Sequence, residues 1–204
     1  MSKQLQKDTT PDQALAALRE GNERFVSGRL IKRDLMAQVR ATAPGQYPAA
    51  LVLSCIDSRV PPEIVFDQGI GAMFSARVAG NFAGAHMIQT AELATELAGS
   101  KLIVVLGHTE CSAVKGACDG IQLGNPAHFL SNFAPAIDAV TSVEGDRNSK
   151  NKVFVQQVTE SNVRLNVQAM TDHSSVLQDL VEQGDLKIVG AMYDVDSGHV
   201  TFGP

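Results

Sequence analysis

Ala49-Ala50-Leu51-Val52-Leu53-Ser54-Cys55-Ile56-Asp57-Ser58-Arg59 reads as a buried strand that breaks into a loop. Residues 49–53 form an apolar run of strand length, and Pro61 and Pro62, which cannot continue a ladder, follow soon after. A thiol, a carboxylate and a guanidinium are thus delivered together at the C-terminal end of a strand, where open α/β sheets build their sites. Residues 102–107, Leu-Ile-Val-Val-Leu-Gly, repeat the pattern and end in His108-Thr109-Glu110-Cys111. If the two strands are parallel neighbours, Cys55, His108 and Cys111 converge although 53 residues separate the first two.

Working outward, strand-like and helix-like stretches alternate. Residues 1–10 are polar and predict a loose segment. Pro11-Asp12-Gln13 predicts a helix start, with a sparse apolar stripe at Ala14, Leu15, Leu18, Phe25 and Val26. A second short helix is expected over 34–41. Further strands are expected at 73–78 and 186–193, and helices at 84–98, 112–119, 126–140, 152–170 and 174–182. Asp196-Ser197-Gly198 predicts a hairpin turn into an antiparallel edge at 199–202. The fold class is α/β: a central sheet of four parallel strands plus an antiparallel edge strand, flanked by helices, with an N-terminal helical arm. The whole chain, 1–204, reads as one domain, with 1–42 as the arm and 43–204 as the α/β core. Helices before the first strand cannot form a core alone, so they must lie on the domain or on another subunit.

The bulk numbers restrict the function. With 44% hydrophobic and 19% charged residues this is an ordinary globular composition, and a net charge of −5 argues against nucleic acid or an anionic membrane as partner. No apolar run approaches bilayer length, and the N-terminus lacks the apolar segment of a signal peptide. Three cysteines do not make a disulfide framework, so a reducing, cytoplasmic setting with thiols free for metal is expected.

The site chemistry follows from residue types. Two thiolates and an imidazole suit Zn²⁺, and His108 and Cys111, three apart at a helix start, are expected to share one face. Three protein ligands leave a fourth position for water or for Asp57. Asp57 and Arg59 are placed to form a bidentate pair; alone that would be an ordinary ion pair, but beside a metal it keeps the carboxylate charged and aimed. Cys118 reads as core. His86, His128, His173 and His199 lack a partner at metal spacing.

Cys55-Ile56-Asp57-Ser58-Arg59, Arg77-Val78-Ala79-Gly80-Asn81 and Gly107-His108-Thr109-Glu110-Cys111 together resemble the signature of the β-class carbonic anhydrases. Leu18-Arg19-Glu20-Gly21-Asn22-Glu23-Arg24-Phe25 and Val189-Gly190-Ala191-Met192-Tyr193-Asp194 extend the resemblance over nearly the whole chain. It implies a lyase that reversibly hydrates CO₂ to bicarbonate and a proton, by attack of zinc-bound hydroxide oriented by the Asp57–Arg59 dyad. It implies one Zn²⁺ per chain on Cys55, His108 and Cys111, with Asp57 as a possible fourth ligand in a closed state. It implies a homodimer or homotetramer with the arm wrapped on the partner, and a CO₂ pocket formed by Gln46, Phe74, Val78 and Ala79, Gln46 reaching a partner's site. Val52 and Ser54 stand where relatives that switch off at low pH carry Trp and Gly, so the open site is favoured. Ser112 follows Cys111 where Gly is frequent. A CS₂ or COS hydrolase on the same fold, and a structural or regulatory zinc protein, are the alternative readings.

Overall fold

The computed structural model describes residues 2–121 and 131–203. In chain order its elements are α1 (Lys3–Asp8), α2 (Pro11–Val26), α3 (Leu35–Thr42), β1 (Ala50–Ser54), α4 (Pro62–Val65), β2 (Met73–Arg77) and α5 (Ala85–Glu92). There follow β3 (Leu102–His108), α6 (Ser112–Cys118), α7 (Ala134–Asp138), α8 (Lys152–Asp172), α9 (Ser175–Glu182), β4 (Lys187–Tyr193) and β5 (Val200–Gly203). The sheet order is β2-β1-β3-β4-β5; the first four strands are parallel, and β5 runs antiparallel along β4. This is the expected mixed sheet flanked by helices.

β1 and β3 are buried along their whole length, which is why they read as unbroken apolar runs rather than alternating ones. On one face Val52, Val104 and Leu106 pack with Phe66 and with Leu18 of α2. On the other, Leu51, Leu53, Ile103 and Val105 pack with Met170 of α8 and Leu177 of α9. The chain leaves β1 toward β2 on one side and pairs with β3 on the other. Their C-terminal ends, where Ser54 lies beside Leu106, therefore form a topological switch point.

Three expectations need correction. Residues 1–10 are not loose: Lys3–Asp8 is a helix capped by the Ser2 hydroxyl, and buried Gln6 donates to Pro48 O at 2.8 Å and Ala98 O at 2.7 Å. Composition missed it because the helix is anchored by one long-range polar side chain, not an apolar face. The helix after Gly84 changes to a wider π turn over Leu93–Leu97. Of the helix expected over 126–140, the part up to residue 130 lies outside the described residues, and the rest is interrupted by a turn at 132–133 before α7. In the arm, α2 starts in a capping box between Thr10 and Gln13 and buries Ala14, Leu18, Gly21 and Asn22 on its own domain. α3 buries nothing, and Leu35, Met36 and Val39 stay exposed.

Candidate active site and metal centre

Cys55 is the first residue beyond β1, and His108 is the last of β3. Cys111 is the N-cap of α6, reached through Glu110 in a left-handed conformation at φ 58°. The spacing of His108 and Cys111 therefore works through a tight turn, not through one helix face as expected. The ligand-capable atoms of Cys55, His108 and Cys111 all lie within 4.8 Å of one another, and all three residues are buried. Val114, Phe133, Phe154 and Val158 close over the two thiols.

His108 is oriented. Its Nδ1 lies 2.8 Å from Thr109 O, so the proton belongs on Nδ1 and the Nε2 lone pair is free. Nε2 is buried with no hydrogen-bond partner among the described residues. An orphaned buried imidazole nitrogen facing two thiols is costly without an ion and satisfied by one. Two thiols and an imidazole gathered this closely are a donor set that suits Zn²⁺ and would hold it. The two thiols do not ionise alike in isolation. Hydrogen bonding to Cys111 lowers the Cys55 pKa, against burial, and the Gly80 N–H adds to the lowering. Cys111 is pushed up by the neighbouring Cys55 sulfur and by burial. A dipositive ion removes that conflict.

Asp57 points at the same spot. Its Oδ2 lies 4.0 Å from His108 Nε2. Arg59 grips the carboxylate with Nε to Oδ1 at 2.9 Å and Nη2 to Oδ2 at 2.8 Å, and its backbone N–H adds a third bond at 3.0 Å. Those Arg59 bonds hold the Asp57 pKa down to about 2, against partial burial. Arg77, at the end of β2, donates to Cys55 O at 3.0 Å and Asp57 O at 2.7 Å and so braces the loop that carries both. Arg77 stands in one of the signature motifs, but its bracing role is not legible in the sequence.

A cavity of about 610 Å³ opens on the group, lined by Ile56, Asp57, Arg59, Ala79, Ala113 and Ile121 among others. Ser112 and Gly116 complete its α6 wall. Of the residues expected in the pocket, only Ala79 lines this cavity. Phe74 and Val78 pack on the core beside Ala76, and Gln46 is exposed in the turn before β1. Cys118 is half-buried against Val114 and its neighbours, away from the metal group. His86, His173 and His199 are exposed, and His128 lies outside the described residues.

A family model described as carbonic anhydrase matches residues 50–200. The chain is 36% identical over 193 residues to carbonic anhydrase 2 of Mycobacterium tuberculosis, covering 94% of this chain and 92% of that protein. The chain belongs to the β-carbonic anhydrase family. The β-carbonic anhydrase fold extends to solved relatives at lower identity. The Coccomyxa β-carbonic anhydrase, solved with acetazolamide, superposes with a TM-score of 0.72 at 23% identity over 92% of this chain and 83% of that one. One of two tetrameric β-carbonic anhydrases from Sordaria macrospora superposes at 0.68, with 23% identity over 80% and 84% of the chains.

Proposed function

We propose that this carbonic anhydrase family member hydrates CO₂ reversibly to bicarbonate and a proton at the cavity over Cys55, His108 and Cys111. The observation that carries the reading is the convergence of two buried thiols, an orphaned imidazole nitrogen and a clamped carboxylate on one point. Cys55, His108 and Cys111 would hold one Zn²⁺ per chain. Zinc there supplies the Lewis acidity that makes a water nucleophilic near neutral pH.

The chain's own residues do the rest. Asp57, held ionised by Arg59 down to about pH 2, only accepts hydrogen bonds at working pH. Its Oδ2 takes the proton side of the attacking water and turns the oxygen lone pair toward the substrate. Arg59, gripping both carboxylate oxygens, fixes that direction and keeps Asp57 from swinging inward as a ligand. The apolar walls from Ile56, Ala79, Ala113 and Ile121 suit an uncharged linear substrate and thin the water around it. The Arg59 grip on Asp57 supports the open state.

A second copy would complete the assembly. Leu35, Met36 and Val39 of α3 are exposed, as are Leu30, Ile31, Ile64 and Ile70 around a cavity of about 610 Å³ beside β2. We assign that face to a homodimer contact, with residues 1–42 reaching the partner mainly through α3. Gln46 would then reach the partner's pocket across the interface.

Stopped-flow CO₂ hydration across pH, with metal content determined on the same sample, tests the reading. Turnover with one zinc per chain is the expected result. Stoichiometric zinc without CO₂ turnover at any pH would overturn it in favour of CS₂/COS hydrolysis or a structural zinc.

A further inference from the structure

We propose that Asn162, on α8, is a positioning residue for the Cys55 thiolate and acts through Gly80; the proposal rests on Cys55 being a metal ligand. Gly80 lies in the 3-10 turn Ala79–Asn81 with φ 67°, and its N–H donates to Cys55 Sγ at 3.2 Å. The carbonyl of the same residue accepts from Asn162 Nδ2 at 3.0 Å. Asn162 Oδ1 in turn accepts from Asn166 Nδ2 at 2.9 Å, and Asn166 Oδ1 accepts from the Ala83 N–H at 2.6 Å.

The relay has one direction. A backbone carbonyl sits at one end and a backbone N–H at the other, so neither carboxamide can flip without losing bonds at both of its atoms. Asn162 and Asn166 are four apart on one face of α8, and both are buried. Two carboxamides inside a core are expensive unless bonded, and apolar side chains would fill the space at no such cost. Their polar identity is accounted for by the turn they hold. That turn has nowhere else to go on its far side: a Cβ at Gly80 would meet Phe133 Cζ at 2.3 Å. Gly80 is therefore pressed between Phe133 and Asn162, with its N–H aimed at the sulfur. A donor fixed on a thiolate ligand draws charge off it and orients it, as partners of ligands do in metal sites generally.

The cobalt-substituted protein reads this without turnover. Asn162→Ala should move the thiolate-to-cobalt charge-transfer band to longer wavelength and weaken zinc about tenfold in chelator competition, the low end for a ligand's supporting groups because Asn162 stands two hydrogen bonds from the sulfur. Asn166→Ala should shift the band the same way by less. Leu177→Ala, in the core under α9, should lower the melting temperature and leave the band in place. An unmoved band and unchanged zinc affinity in Asn162→Ala, or an equal band shift in Leu177→Ala, would overturn the proposal. A measurement on the unaltered chain stands beside these in case the asparagine variants do not fold. Loaded with cadmium-113, it should show scalar coupling between the metal and the Gly80 amide proton, and slow exchange of the Asn162 side-chain protons. Absence of either overturns the proposal. A wild-type chain that binds cobalt with no thiolate band would instead overturn the metal reading, and this proposal with it.

Discussion

Gly107→Ala tests how the fold places His108. Gly107 is the penultimate residue of β3, and α8 crosses directly over it. A Cβ there would meet Val163 Cγ2 at 2.5 Å and Met192 Sδ at 2.8 Å. Ordinary carbon contacts begin near 3.5 Å, so the overlap with Val163 is about 1 Å. Met192 has free rotors and yields. Val163 is β-branched, sits on a helix and has essentially one rotamer, so either α8 or the end of β3 must move. Overpacking of that kind costs about 1–3 kcal/mol. For a chain of this size that is a fall in melting temperature of roughly 2–12 °C. The adjoining His108 moves with the strand, and a ligand displaced by a large fraction of an ångström should weaken zinc by about 10–100-fold, as loss of a supporting partner does. Calorimetry and chelator competition at fixed protein and zinc concentration measure both, since bound metal and partner copies also move the midpoint. Val163→Ala should rescue: the double variant should lose less than the sum of the singles by more than about 1 kcal/mol. A Gly107→Ala protein with wild-type midpoint and wild-type zinc affinity would refute the reasoning.

Asp57→Ala should keep one zinc and lose CO₂ hydration by about 10²-fold or more, the scale of a lost orienting contact; wild-type turnover would remove Asp57 from the mechanism. Cys111→Ala should lose the metal, and a variant that still binds one equivalent tightly would take Cys111 out of the ligand set. Asp67→Asn addresses pH. Burial alone would raise the Asp67 pKa, but hydrogen bonds from Arg33 and Arg24 and from the Ile31 N–H outweigh it and leave the pKa depressed. A depressed carboxylate adds stability that is present above its unfolded pKa and lost as pH falls through the folded one. The stability gap between wild type and Asp67→Asn should therefore be flat above about pH 5 and close below about pH 4 in urea melts; a gap unchanged at low pH would refute it.

How much was legible depended on whether the cause lay nearby in sequence. β1 and β3 were readable because strands covered on both faces need unbroken apolar runs, and the ligand-capable side chains sit directly at their ends. α2 announced itself through Pro11-Asp12-Gln13 and its apolar stripe; the capping box with Thr10 appears only in the structure. The helix at Lys3–Asp8 was not readable, since what holds it is Gln6 bonded to residues 42 and 92 positions away. The His108–Cys111 spacing pointed to the right pair through the wrong local geometry, because a left-handed Glu110 is not a residue preference that composition signals. Nothing in the helix pattern over 152–170 marks Asn162 and Asn166 as inward-facing; the placement of the 3-10 turn against α8 shows it.

The crossing between β1 and β3 also governs when a metal can be taken up. Cys55 and His108 meet only once the two strands have paired, and the chain between them has to return past β2 and α5 before that pairing exists. Closing a connection of that length costs entropy with no local contact to offset it, so the pairing belongs to the late, cooperative part of folding. A chain emerging from a ribosome would therefore expose Cys55 as a lone thiol long before it can chelate anything. Loading of an ion on Cys55, His108 and Cys111 would then report completed topology.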